Sequence, residues 1–180
     1  KGFTALPESG MDYSSILMDD SADSYSYLQA SNCRLTAFNL IKNQLTTAGT
    51  GNDTDLWLMF DIEAIDTMLE YQLTKEERAD FLTLFNQVSV EGTKTIEEHE
   101  EKIQEAWNER DIQISGDKLS LISVYLHAPE DQARFVGHTG VLAETKEGLL
   151  FVEKYSALAP FQATYFKDRA ELKDYLLARP

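Results

Sequence analysis

The chain has 180 residues, 43% of them apolar, an ordinary size and composition for one domain with a sizeable core. Asp and Glu outnumber Lys and Arg by 31 to 16, a formal charge of −15, so the average surface repels phosphate backbones and anionic headgroups, and nucleic acid is not an expected partner. No run approaches the roughly 20 apolar residues that cross a bilayer, and the opening Lys1-Gly2-Phe3-Thr4 has no signal-peptide pattern; a start on Lys reads as a processed product, which leaves room for an export signal or lipid anchor before it.

Residues 1–31 are rich in Ser, Asp, Gly and Tyr, and the stretch Asp19-Asp20-Ser21-Ala22-Asp23-Ser24 reads as turns and loop. From Cys33 the pattern changes. Leu35, Phe38, Leu40, Ile41 and Leu45 recur at helical spacing after a capping Ser31 or Asn32, predicting a helix over 33–46. Gly49 and Gly51 mark a loop, Leu56 to Phe60 leads into a helix at 61–72, and Thr74-Lys75-Glu76-Glu77 has the capping-box spacing that starts another through Asn86. A third capped helix spans 95–110, with Ile96, Ile103 and Trp107 on one face and a charged, solvated opposite face.

After Gly116 the period becomes two. A strand over 119–127 is followed by strands at 138–145 and 149–156 joined through a turn at Lys146-Glu147-Gly148, then by a strand over 161–167 and a closing helix capped by Asp168. With 33–110 mainly helical and 117–180 forming a sheet plus that last helix, the segregation predicts a single α+β domain with an antiparallel sheet of about four strands, not βαβ units.

One cysteine excludes an intramolecular disulfide framework and a Cys-rich zinc site, leaving Cys33 as either a buried apolar thiol or a working one. At the first turn of its helix the thiol would meet the positive end of the macrodipole and backbone N–H groups, which favour a thiolate and can hold an oxyanion. A thiol nucleophile needs a base, and three histidines compete. His99, inside Glu97-Glu98-His99-Glu100-Glu101, reads as solvated helix surface and lacks the paired-histidine metalloprotease spacing. His127 ends a strand beside Ala128-Pro129. His138 follows Gly137 and opens a strand, where a side chain projects from the sheet's rim and Gly140 leaves space beside the ring. No metal or cofactor is expected.

His138-Thr139-Gly140-Val141-Leu142, a hairpin and then Leu150-Phe151-Val152-Glu153 resemble the histidine strand and following strand of NlpC-type papain-like cell-wall peptidases. The resemblance implies a papain-like fold, with the nucleophile-bearing helix packed on the sheet, and carries over Cys33 as nucleophile, His138 as base and Glu153 as the residue that orients the imidazole; Tyr155 and Ser156 are alternatives for the third role. With Glu147-Gly148 as hairpin loop, Leu142 faces Glu153, which lies on the same sheet face as His138 and reaches it diagonally. Where those peptidases carry Asp-Cys-Ser-Gly, this chain has Asn32-Cys33-Arg34-Leu35. The sequences around Cys33 and Gly148-Leu149-Leu150-Phe151-Val152-Glu153-Lys154 are also similar to an uncharacterised family of bacterial surface lipoproteins, which implies a place in the cell envelope.

An oxyanion hole would join the Cys33 backbone N–H to a donor from Tyr25, Tyr27, Gln29 or Asn32, with Gln29 preferred because papain-like enzymes use an amide shortly before the cysteine. Tyr25, Tyr27 and Trp57 read as core packing or as the wall of an apolar cleft. The resulting expectation is an extracytoplasmic cysteine hydrolase of amide bonds, with peptidoglycan stem peptide as the implied substrate. The alternative is a papain-like scaffold without activity that binds or adheres.

Overall fold

The computed structural model describes residues 31–155, 159 and 161–178, so all but Ser31 of the expected irregular N-terminal segment lies outside the described residues. Helix α1, Cys33–Ile41, starts where Asn32 is extended and its side-chain oxygen accepts from Leu35 N at 3.0 Å. Leu35, Thr36, Ala37, Phe38 and Ile41 are buried, covering most of its circumference, so α1 is a core helix without the single apolar stripe of a surface helix. It stops short of the expected residue 46. Gln44 N donates back to Ile41 O at 2.8 Å, and Leu45–Thr46 (β1) pairs with Gln113–Ile114 (β3), a partner too far along the chain for local periodicity to reveal.

A single 3-10 turn over Leu56–Leu58, capped by the Asp55 carboxylate, runs into α2, Met59–Thr67, and a second over Leu69–Tyr71 follows. Helix α2 thus begins two residues before, and ends five before, the expected 61–72. Helices α3, Lys75–Phe85, and α4, Ile96–Glu109, each begin with the expected capping box, Thr74 with Glu77 and Thr95 with Glu98. The anticipated α4 face holds at Trp107, half-buried against the helical core, but not throughout. Ile96 is 73% exposed, while His99, expected on the solvated face, is buried.

Strands β2 (Val88–Ser89), β4 (Leu119–Ala128), β5 (Ala133–Thr145), β6 (Gly148–Lys154) and β7 (Phe161–Phe166) form one antiparallel sheet of five strands, order β2-β5-β6-β7, with β4 on the other edge of β5. The strand beyond the expected four is β2, two residues long. Helix α5, Arg169–Leu177, is capped by Asp168 as expected.

Two readings of the hairpins need correction. Gln132 takes φ 48 and donates to Pro129 O at 3.2 Å, closing a tight turn that lets β5 begin at Ala133. His138 therefore stands inside a strand and does not open one, just after Gly137, which interrupts the register with β4 between Val124 and Tyr125. The β5–β6 loop is Lys146-Glu147, because Thr145 pairs with Gly148, whose φ of 132 suits glycine. Glu153 consequently faces Gly140 and not Leu142. The displacement is two residues, which returns every side chain to the same face, so Glu153 remains on the face of His138.

The sheet has a core on each side. Val136 and Val141 join Leu35, Phe38, Ile41, Phe81 and Phe85 of the helices, whereas Leu142, Phe151 and Phe166 pack with Leu172 of α5. Each fully buried side chain of this size contributes about 1.5–3 kcal/mol. Gly140 serves the second core. A Cβ there would lie 2.4 Å from Phe151 Cζ and 2.8 Å from Val152 O, so the space beside Gly140 is occupied by the Phe151 ring and is not kept for His138.

Pairing along β5 also makes room for α1. On the edge opposite β4, β5 pairs with β2 at Ala133 and Arg134 and with β6 from Gly140 onward, which leaves a break between the two ladders. The first turn of α1 meets β5 there, where Arg34 Nη1 donates to Val136 O at 2.8 Å.

Candidate active site

Cys33 is the first residue of α1 and half-buried. Its neighbours hold that helix end in place. Arg34 donates through Nε and Nη2 to both oxygens of Asp61 on α2, at 3.1, 3.1 and 2.5 Å, and through Nη2 to Trp57 O at 3.0 Å. Asn32 caps α1 with its side-chain oxygen while its Nδ2 donates to Asp61 Oδ1 at 2.8 Å. Asp61 is fully buried. Burial opposes charge on Arg34, but the adjacent Asp61 carboxylate, by charge and by hydrogen bonding, outweighs it and holds the guanidinium above its ordinary value. Two of the three residues that depart from Asp-Cys-Ser-Gly, Asn32 and Arg34, thus fix the first turn of α1 between α2 and β5.

His138 and Glu153 are brought together by strand register. Glu153 is fully buried and faces Gly140, two residues along β5 from His138 on the same face, and this diagonal relation lets Glu153 Oε2 meet His138 Nε2 at 2.6 Å. A carboxylate only accepts, so Nε2 carries the proton in this bond. The other carboxylate oxygen, Oε1, accepts from Tyr175 OH at 2.6 Å and from Gln162 Nε2 at 3.3 Å. A buried anion requires such donors, and here they come from β7 and α5.

Of the expected third residues, Glu153 is bonded to His138; Tyr155 lies half-buried just beyond β6, and Ser156 is outside the described residues. Gln29, Tyr25 and Tyr27 also lie outside them. The Asn32 side chain is committed to its cap and to Asp61. Trp57 is half-buried and stacks on Phe135, ring centroids 3.7 Å apart.

His99 sits in a different environment from the one expected. Its Nδ1 accepts from Arg134 Nε at 2.9 Å and its ring meets exposed His127 edge to face at 4.9 Å. Burial, with the charges of Arg134 and His127, holds His99 below its ordinary value.

Sequence reasoning missed Asp61, Gln162 and Tyr175. Gln162 carried a signal, since the alternation of β7 puts it on the same face as buried Phe166, and a polar residue on a buried face needs a partner. Asp61 and Tyr175 carried none: both read as ordinary helix residues.

The described residues form a mixed α+β domain with an antiparallel sheet, in which Cys33 starts α1 and His138 and Glu153 are bonded to each other within the sheet. The chain belongs to the family described as Domain of unknown function (DUF4300), which it matches over residues 1–179. No curated protein matches it. No solved structure matches it.

Proposed function

We propose that the protein is a papain-like cysteine hydrolase acting on amide bonds, with Cys33 as nucleophile, His138 as base and Glu153 as the group that orients the imidazole. The observation that carries this reading is the 2.6 Å bond from His138 Nε2 to the buried Glu153 carboxylate, which fixes one tautomer and would stabilise an imidazolium. Support also comes from the break in strand pairing beside His138, where the α1 turn bearing Cys33 is held through Arg34.

His138 Nδ1 takes the thiol proton as Cys33 Sγ bonds to the substrate carbonyl carbon. The carbonyl becomes an oxyanion, met by first-turn amides of α1 and, in this reading, by Gln29. Collapse breaks the C–N bond, the imidazolium gives its proton to the leaving amine, and a thioester remains. Water, deprotonated by the same Nδ1, then adds to the thioester, and release of the acid returns the thiol. Peptidoglycan stem peptide is the proposed substrate class and the cell envelope the proposed location, both supported by the sequence resemblance.

Asn32 and Arg34 have structural work at Asp61, so their departure from the peptidase pattern does not itself favour an inactive scaffold. The test is turnover of purified peptidoglycan fragments, read as release of new amino groups. Hydrolysis lost in both Cys33→Ala and His138→Ala is the expected result; hydrolysis that survives Cys33→Ala overturns the assignment.

A further inference from the structure

Glu153 accepts from two groups that the proposed chemistry does not itself require. Gln162 Nε2 lies 2.7 Å from Tyr175 OH and 3.3 Å from Glu153 Oε1, while Tyr175 OH lies 2.6 Å from the same Oε1. The proton directions follow from the acceptors. A carboxylate cannot donate, so the phenol proton points at Glu153; the Gln162 amide nitrogen, which also lies 3.4 Å from Thr164 Oγ1, makes its shortest bond to the phenol oxygen and supplies it with a donor. Gln162 N–H to Tyr175 O–H to Glu153 is therefore a directed chain ending on a fully buried carboxylate, where successive bonds polarise one another.

Granted the Cys33–His138 pair of the proposed function, on which this inference rests, we propose that Tyr175 is a positioning residue for the His138 base, acting through Glu153, with Gln162 setting the direction of its proton. The C-terminal helix is then part of the active-site machinery as well as a cover for the sheet. Tyr175 acts in two ways. Its short bond keeps Oε1 occupied and turns Oε2 toward His138, and its donated proton favours the ionised carboxylate that imidazolium formation needs. The ring also packs on Phe166 at 5.1 Å, and Tyr175→Phe preserves that contact while removing the hydroxyl alone.

A double-mutant cycle separates this role from a merely structural one. The readout is the rate of Cys33 alkylation by iodoacetamide at pH 7 in the full chain. Tyr175→Phe is expected to slow it about 5- to 10-fold in the otherwise natural protein, but by less than about 2-fold when Glu153→Gln is already present. No slowing, or equal slowing in both backgrounds, overturns the inference. His138→Ala runs beside these variants, and a rate it leaves unchanged refutes the nucleophile–base pair itself. The positioning claim then has its own reading in proton NMR: the His138 Nε2–H resonance, held downfield by the carboxylate, must move in Tyr175→Phe. An unmoved resonance overturns the claim whatever the thiol does. Gln162→Leu provides a second variant if Tyr175→Phe folds poorly, with a change of the same sign expected.

Discussion

Arg34 and Asp61 form a bidentate ion pair between the first turn of α1 and the first turn of α2, with the carboxylate wholly excluded from water. Removing one member leaves the other charged and buried, whereas replacing a whole pair by apolar groups can be neutral. Asp61→Ala is therefore expected to cost about 3–5 kcal/mol in urea unfolding. A loss below about 1 kcal/mol, the range of exposed pairs, contradicts the role assigned to this contact.

Gly140 and Phe151 provide a packing prediction. A Cβ at 140 would penetrate the Phe151 ring and approach Val152 O, and a backbone oxygen in a ladder cannot swing away as a side chain can. Gly140→Ala is expected to destabilise by about 1–3 kcal/mol. Because Glu153 faces Gly140, the change should also disturb the His138 Nε2–H resonance, which Ala substitution at exposed Leu56 should leave in place. Thermal unfolding and proton NMR of the two variants check both statements.

These two contacts also mark what local sequence could reveal. The caps at Thr74, Thr95 and Asp168 were legible because each is a bond between a side chain and a backbone amide within four residues. The end of α1 was not, since it is set by pairing of Leu45 with Ile114. The burial of His99 is hidden for a similar reason. Its glutamate neighbours describe a solvated helix, but the partner that buries it, Arg134, stands in β5. Glu153 keeps its expected face although the hairpin loop lies elsewhere, because a two-residue shift preserves side-chain parity. The network behind it was illegible where it depended on α5 docking, which brings Tyr175 to the carboxylate.

Lys154 makes stability depend on pH in a defined window. Its side chain is fully buried, donates to Ala159 O and lies 5.3 Å from the Phe161 ring centroid; burial lowers its pKa from 10.5 to about 8. Between those values the unfolded chain binds the proton that the folded chain has released, so the Lys154 contribution to stability rises with pH from about 8 to 10.5; below about 8 the penalty for holding the charge inside is fully present. Lys154→Met removes this dependence. The difference in unfolding free energy between the natural protein and Lys154→Met, followed by urea titration across that window, should move in favour of the natural protein as pH rises. A flat or opposite difference contradicts the assignment.

The central claim is that Cys33 and His138 form one reactive unit, and the most direct test is the pH dependence of Cys33 alkylation in the natural protein and in His138→Ala. The predicted result is rapid modification below about pH 7.5 that His138→Ala slows at least about 10-fold, with the circular dichroism of the two proteins the same. A slow reaction that rises only near the ordinary thiol pKa of about 8.5, alike in both proteins, would contradict it.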